Sequence, residues 1–228
     1  IFTIVDLFLI ITNGIPMQMG GIGNDAYNIW RLLKDKKSKP GMVFQLRCNA
    51  LIQEGVRPKD IPDEWFEADK DTDYRNPLEV SIPLMAATRL IDLMKWEDAH
   101  NDFENLYSHK SELMPLYTTE IACELVFTSL VTGRTNRAKE LYDTKLERYI
   151  ETYRKVMSSK ERISFAISLY LDNDINKART IYNTLLKRRN GYLLQGEVKS
   201  DLAIMESLLR KAENDTTETM LFGEIEHR

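Results

Sequence analysis

The sequence predicts an all-α protein, and three features of the 228-residue chain carry that prediction. Apolar residues fall at helical spacing almost without a break from Ile82 to Ala212. Within that span a short polar turn, an Ala and, four residues on, an aromatic recur three times: Ala99 and Phe103, Ala138 and Tyr142, Ala178 and Tyr182. Upstream, Gly41 to Gly55 carries Met42, Val43, Leu46, Ala50 and Leu51 on a helical period, with Gly55 suited to close the helix.

The chain opens on an apolar run, Ile1 to Ile11, interrupted only by Thr3 and Asp6. A spanning helix needs about 20 apolar residues, so the run is about half a membrane segment. Beginning at Ile rather than Met, it reads as a chain cut from a longer protein. The Gly-rich loop Thr12 to Gly23 follows, turning at Pro16. Asn24 is then placed to cap a short helix, Asn24 to Lys34, with Tyr27, Trp30, Leu32 and Leu33 as its apolar stripe. Lys34 to Lys39 with Pro40 supplies the stop. The basic cluster Arg31, Lys34, Lys36, Lys37 and Lys39 follows the apolar unit directly, which favours the cytoplasmic side of a membrane for everything downstream. The same lysines suit a solvated helix end equally well. Beyond Gly55, Pro58, Pro62 and Pro77 among many acids predict a long, partly ordered linker with one helical turn near Asp63 to Phe66. Trp65 and Phe66 are expected to anchor it against a helix.

From Ile82 the repeat governs the chain. Each Ala-bearing helix is preceded by a second apolar one, Pro83 to Met94, Glu120 to Leu130 and Glu161 to Leu171, and the alanines lie 39 and 40 positions apart. A small Ala lets the paired helices approach closely, and the aromatic one turn later fills the space between pairs. One such unit cannot bury its own apolar face, so the units must stack. The pattern resembles the tetratricopeptide repeat in its Ala-to-aromatic spacing. It differs in period, about 34 residues in that family, and in lacking the regular Trp, Leu-Gly and closing Pro positions. The resemblance implies an α-solenoid of tetratricopeptide-like helix hairpins with a concave face for a peptide or partner protein. Arg148, Arg154, Arg179, Lys187, Arg188 and Arg189 are candidates to line that face and receive a carboxylate, or are solvated surface. Phe103, Tyr107, Phe127, Tyr142 and Phe165 read as core. A last helix, Glu197 to Ala212, caps the stack, and a polar tail is expected from Glu213 to Arg228. The organisation is thus 1–40, membrane segment, loop and short helix; 41–81, helix and linker; 82–212, helical repeats; 213–228, flexible tail.

Composition narrows the function. The net charge of -4 argues against a nucleic-acid partner, which a basic surplus would serve. Cys48 and Cys123 stand far apart in apolar surroundings, as two buried reduced thiols would. No secretory signal pattern is visible. A chain rich in Lys, Glu, Asn and Ile with little Cys suits a bacterial cytoplasm.

The three histidines, His100, His109 and His227, are scattered over helix ends and the tail, and no HExxH occurs. A GxSxG elbow and a P-loop are also missing. Taken alone, the chain is not expected to be active. Its opening, however, is similar to one part of the site-2 protease family of membrane-embedded zinc metalloproteases. There an Asn-x-x-Pro turn leads to an Asp that is the third zinc ligand, with the HExxH helix upstream. The match places the turn on Asn13 and Pro16 and the ligand on Asp25, with Asn24 beside it. Ala26 stands where the family has Gly, and Asp25 lies further from Pro16 than is usual. The resemblance implies a zinc cofactor in the longer protein and the helical domain as its substrate- or partner-binding part. The other reading is a non-catalytic, membrane-tethered interaction module in which Asn24-Asp25 only starts a helix, Asp25 favoured by its dipole. Both place the chain at a membrane with its C-terminal domain in the cytoplasm.

Overall fold

The structure is a computed structural model that describes residues 3, 12, 15–19, 22–35, 37–67 and 71–225, with backbone alone at 18–19, 22–23, 28 and 215–225. The apolar run Ile1 to Ile11 apart from Thr3, together with Asn13 and His227, lies outside the described residues. Among the described residues no helix is long and apolar enough to cross a membrane. The protein is all-α, with one minimal antiparallel pairing of β1 (Gln18–Met19) with β2 (Ile22–Gly23).

Helix α1 (Asp25–Lys34) starts where Asn24 caps it, the Asn24 side chain accepting from the Tyr27 backbone N–H. Helix α2 (Ser38–Gln53) begins earlier than the apolar pattern predicts. Pro40, expected to be a stop, sits in its first turn. The N–H groups there have no partner within the helix, so a residue without one is tolerated. Gly55, at φ +95°, ends the segment in the left-handed conformation expected of it.

The stretch expected to be linker is folded onto α2. Pro58 and Ile61 are buried, and two 3-10 turns, Pro58–Asp60 and Asp63–Phe66, shape it. Phe66 packs edge-on against Phe44 at 5.5 Å, and Arg47 lies over Trp65, so both aromatics anchor as expected. Helix α3 (Pro77–Asp92) starts six residues before Pro83 and runs through it. The start signal is Asn76 as cap with Pro77 at the first helical position.

Three helix pairs follow: α3 with α4 (Trp96–Ser108), α5 (Pro115–Val131) with α6 (Thr135–Leu141), and α8 (Ser158–Tyr170) with α9 (Ile175–Arg188). Short turns make the members of each pair antiparallel neighbours. Each turn holds a left-handed residue, Met94, Gly133 and Asn173, five positions before Ala99, Ala138 and Ala178. All three alanines are fully buried, as close helix approach requires. The middle pair departs from the pattern. Helix α6 stops at Leu141, and the Asp143 side chain accepts from Leu146 N–H at 2.8 Å to start a separate helix, α7 (Thr144–Tyr153).

The last helix, α10 (Gln195–Ile225), continues well past Ala212, so the backbone of most of the expected tail is helical. It packs on α8 and α9 and also returns to α2 and α3. Lys199 Nζ donates to Gly55 O at 2.8 Å and Ser200 Oγ to Asp92 Oδ1 at 2.7 Å, joining residues more than a hundred positions apart. The C-terminal end of the repeat region is thereby closed against its beginning.

Candidate functional site

Beside that contact α10 and the helices facing it line an open cavity of about 510 Å³. Its walls come from α2, α10, α7 and the first helix of each pair, α3, α5 and α8, while α4, α6 and α9 contribute no lining residue. The upper wall is apolar and aromatic, with Ile52, Phe66, Leu84, Met85 and Leu116. A cavity of this size with a few convergent polar groups has the make-up of a ligand site.

The polar groups belong to an ion-pair network around α8, whose residues from Lys160 to Leu169 are all buried. Arg162, 2% exposed, donates from Nε to Asp201 Oδ1 at 2.7 Å and from Nη2 to Glu124 Oε2 at 2.8 Å. Ser158 Oγ donates to the other Asp201 oxygen at 2.6 Å, and the guanidinium lies 4.0 Å over the Phe127 ring. Burial acts to lower the Arg162 pKa, but Glu124 and Asp201 outweigh it and hold the group above its ordinary value. Arg162 therefore stays charged. Its Nη1 has no acceptor among the described residues.

Lys160, fully buried, donates to Glu120 Oε2 at 2.6 Å, and the Tyr149 hydroxyl donates to Glu120 Oε1. Burial raises the Tyr149 pKa, and the bond to Glu120 raises it further, so the phenol keeps its proton. Glu197 lines the same cavity one turn before Asp201 on α10. Burial first, then the charges of Asp201 and Glu124, push its carboxyl up to about 8.

None of the basic residues expected on a concave face lines this cavity. Arg154 and Arg188 turn instead to Glu161, Arg179 pairs with Glu213 at 2.8 Å, and Arg189 donates to Leu186 O. The ion-pair network beside it was legible only in part. Lys160, Glu161 and Arg162 are consecutive, so they point around most of a helix that also carries Ile163 and Phe165, and a single solvated face cannot hold them all. Glu120 to Lys160 and Glu124 to Arg162 are separated by about one repeat, the offset at which neighbouring units face each other.

His100 corrects another expectation. It is 5% exposed rather than at a solvated helix end, with Nδ1 3.3 Å from Thr128 Oγ1. That hydroxyl already donates to Glu124 O, so Nδ1 carries the proton toward it. Burial lowers the His100 pKa, which leaves a neutral, structural imidazole. His109 is stacked on Tyr74 at 3.7 Å. Cys48 and Cys123 are free and buried, and burial pushes their thiols up to about 11 and about 12. Such thiols are poor nucleophiles.

At the other end of the molecule, Asn24 pins the opening loop. Its Oδ1 accepts from Met17 N at 3.1 Å and Tyr27 N at 2.9 Å, and its Nδ2 donates to Thr12 O and Ile15 O. That uses the bonding capacity of the amide and makes Asn24 a structural residue. Pro16 is exposed, and Asp25 is exposed at the first position of α1. Asn13, the start of the predicted turn, is outside the described residues. Among the described residues no group of three His, Cys, Asp or Glu side chains is placed to hold a metal ion. Asp25 thus offers one accessible oxygen ligand and no more.

Comparison with protein-family models, with curated proteins and with solved structures finds no match to this chain.

Proposed function

We propose that the chain is the C-terminal part of a membrane-embedded zinc metalloprotease resembling the site-2 proteases, joined to a cytoplasmic, tetratricopeptide-like α-solenoid that binds a protein or peptide partner. The observation that supports it best is the distribution of exposed apolar side chains. Of the twelve exposed large apolar side chains among the described residues, seven, Ile15, Met17, Ile29, Trp30, Leu33, Val43 and Leu46, lie within residues 15–46, interleaved with Arg31, Lys34, Lys37, Lys39 and Arg47. Apolar side chains with an interfacial Trp and a basic rim suit a surface resting on a bilayer. Asp25 opens toward solvent at that same end, a hard oxygen donor suited to a third zinc position. Zinc held there together with ligands from the longer protein would supply a Lewis acid and an acidified water for peptide hydrolysis. The solenoid reading draws on the equivalent left-handed turns at Met94, Gly133 and Asn173 and on the first helices facing one shared cavity.

A second reading is favoured by Asn24. Because its side chain caps α1 and ties down the loop, Asp25 has a sufficient place beside a helix N-terminus without any metal. The chain is then a tethered, non-catalytic binding module. Zinc content of the protein expressed with its upstream reading frame, wild type against Asp25→Ala, separates the two. A loss of bound zinc on substitution supports the protease, and unchanged zinc content rejects the ligand role.

A further inference from the structure

The inner cavity holds charge that its own residues do not balance. Three carboxylates line it, Glu120, Glu124 and Asp201, with the carboxyl of Glu197 beside them, against the guanidinium of Arg162 and the ammonium of Lys160 behind them. Lys160 and Tyr149 engage Glu120, and Arg162 engages both Glu124 and Asp201. Glu197 has no hydrogen-bond or ion-pair partner among the described residues, yet it faces the same space. A second, independent deficit lies at Arg162. Arg162 Nη1 is a buried donor with no acceptor, the kind of unmet group that a native structure reserves for water or a ligand.

We propose that the cavity binds a primary amine with a hydrogen-bond acceptor beside it, as in the free N-terminal residue of a peptide. The ammonium goes to Glu197, the neighbouring carbonyl oxygen to Arg162 Nη1, and an apolar side chain to the wall formed by Leu84, Met85 and Leu116. In an aminoacyl group the nitrogen and carbonyl oxygen are roughly 3 Å apart by standard bond lengths, so one residue meets both groups only if they converge on one end of the cavity. The link between them is Asp201, which Arg162 bonds and which lies one turn from Glu197 on the same face of α10. The volume falls within the range of drug-sized ligands, room for a few residues of peptide. An organic anion would meet the carboxylates of Glu120, Glu124 and Asp201, and a purely apolar ligand would leave both deficits in place. This assignment rests on reading the helical domain as a binding module and gives that module its ligand.

The proton balance follows from the site. With its pKa near 8, Glu197 is protonated at pH 7 in the empty cavity. An arriving ammonium favours the carboxylate, and the displaced proton passes to the buffer. The charged and titratable groups facing Glu197 are Tyr117, Glu120 and Glu124 from α5, Lys160 and Arg162 from α8, Tyr149 and Tyr153 from α7, and Asp201 on α10 itself. Helices α2 and α3 add no charged lining residue.

Calorimetric titration of the whole chain at pH 7, in two buffers of different ionisation enthalpy, tests the proposal. The probes are Leu-Leu-amide, leucinamide, N-acetyl-Leu-Leu-amide and 3-phenylpropanoate. Leu-Leu-amide is expected to bind with release of up to one proton, and acetylation or Glu197→Gln to weaken it by about tenfold or more. Leucinamide binding as tightly assigns the site to free amino-acid derivatives, and a tighter dipeptide assigns it to peptide N-termini; either supports the inference. Equal binding of the acetylated peptide, or 3-phenylpropanoate binding in preference, overturns the amine and leaves the cavity a binding site. Absence of binding by all four overturns the assignment and counts against the module as well.

Discussion

Arg162 and Glu197 share one cavity and answer burial in opposite ways. Arg162 keeps its charge because the carboxylates of Glu124 and Asp201, the latter held by the Ser158 hydroxyl, replace the water it lost. Glu197 has no such partner and gives its charge up. The consequence is a pH dependence with a definite sign. In the unfolded chain Glu197 ionises near its ordinary value of 4.5, and in the folded protein near 8. Between those values the folded state holds a proton the unfolded chain has released, so stability falls as pH rises through the window. The contribution is complete below 4.5 and lost above 8. Glu197→Gln, neutral throughout, is expected to remove that slope and to gain on the order of a few kcal/mol over the wild type at pH 8.5 relative to pH 4. Urea midpoints across the range measure it; parallel curves for the two proteins would show that Glu197 is not the group responsible.

Among the elements, the crossing of α2 and α3 depends on the absence of one side chain. A Cβ at Gly41 would lie 2.0 Å from the Leu78 carbonyl oxygen, a backbone atom that cannot swing aside. Gly41→Ala gains helix propensity but must push the two helices apart, and a net loss of about 1–3 kcal/mol is expected. Gly191→Ala is the control, since nothing lies within 4 Å of its added carbon. Thermal unfolding of the two variants should separate them clearly. Equal midpoints would mean that the α2 and α3 contact is looser in solution than the structure shows. The middle pair shows the same sensitivity to one residue from the other direction. Asp143 offers a side-chain acceptor that a helix interior does not need, and the chain takes it to begin α7 instead of lengthening α6.

For the whole molecule, the defining contact is the return of α10 to α2. Gly196 passes so close to Val56 that a Cβ would stand 1.9 Å from its carbonyl oxygen. Cys48 belongs to the small core beneath α2, and Cys123 to the large core of the repeats. Both thiols are shielded, so a thiol reagent reaches them only when the structure opens. In the wild type Cys48 and Cys123 are expected to be labelled at one common rate, because the closed arrangement opens as a unit. Gly196→Ala should break the closure, speeding Cys48 labelling while Cys123 stays slow. If Cys48 is already faster in the wild type, the first core is held by α3 alone.

The repeat was plain in the sequence because it depends on local terms. A turn, an Ala and an aromatic at a fixed offset state helix, stop and close approach within one stretch of chain, and Ala99, Ala138 and Ala178 are buried accordingly. The cap at Asn24 and the stop at Gly55 were legible for the same reason. What a residue faces is not a local term. Pro40 and Pro83 read as boundaries, yet one lies inside a first turn and the other within a helix. His100 read as a helix-end residue until packing surrounded it. The cavity with Arg162 and Glu197 exists only because α10 folds back across more than a hundred residues to meet α2 and α3. Helical periodicity specifies which side of a helix is apolar, whereas the return of α10 decides which polar groups face one another across the cavity.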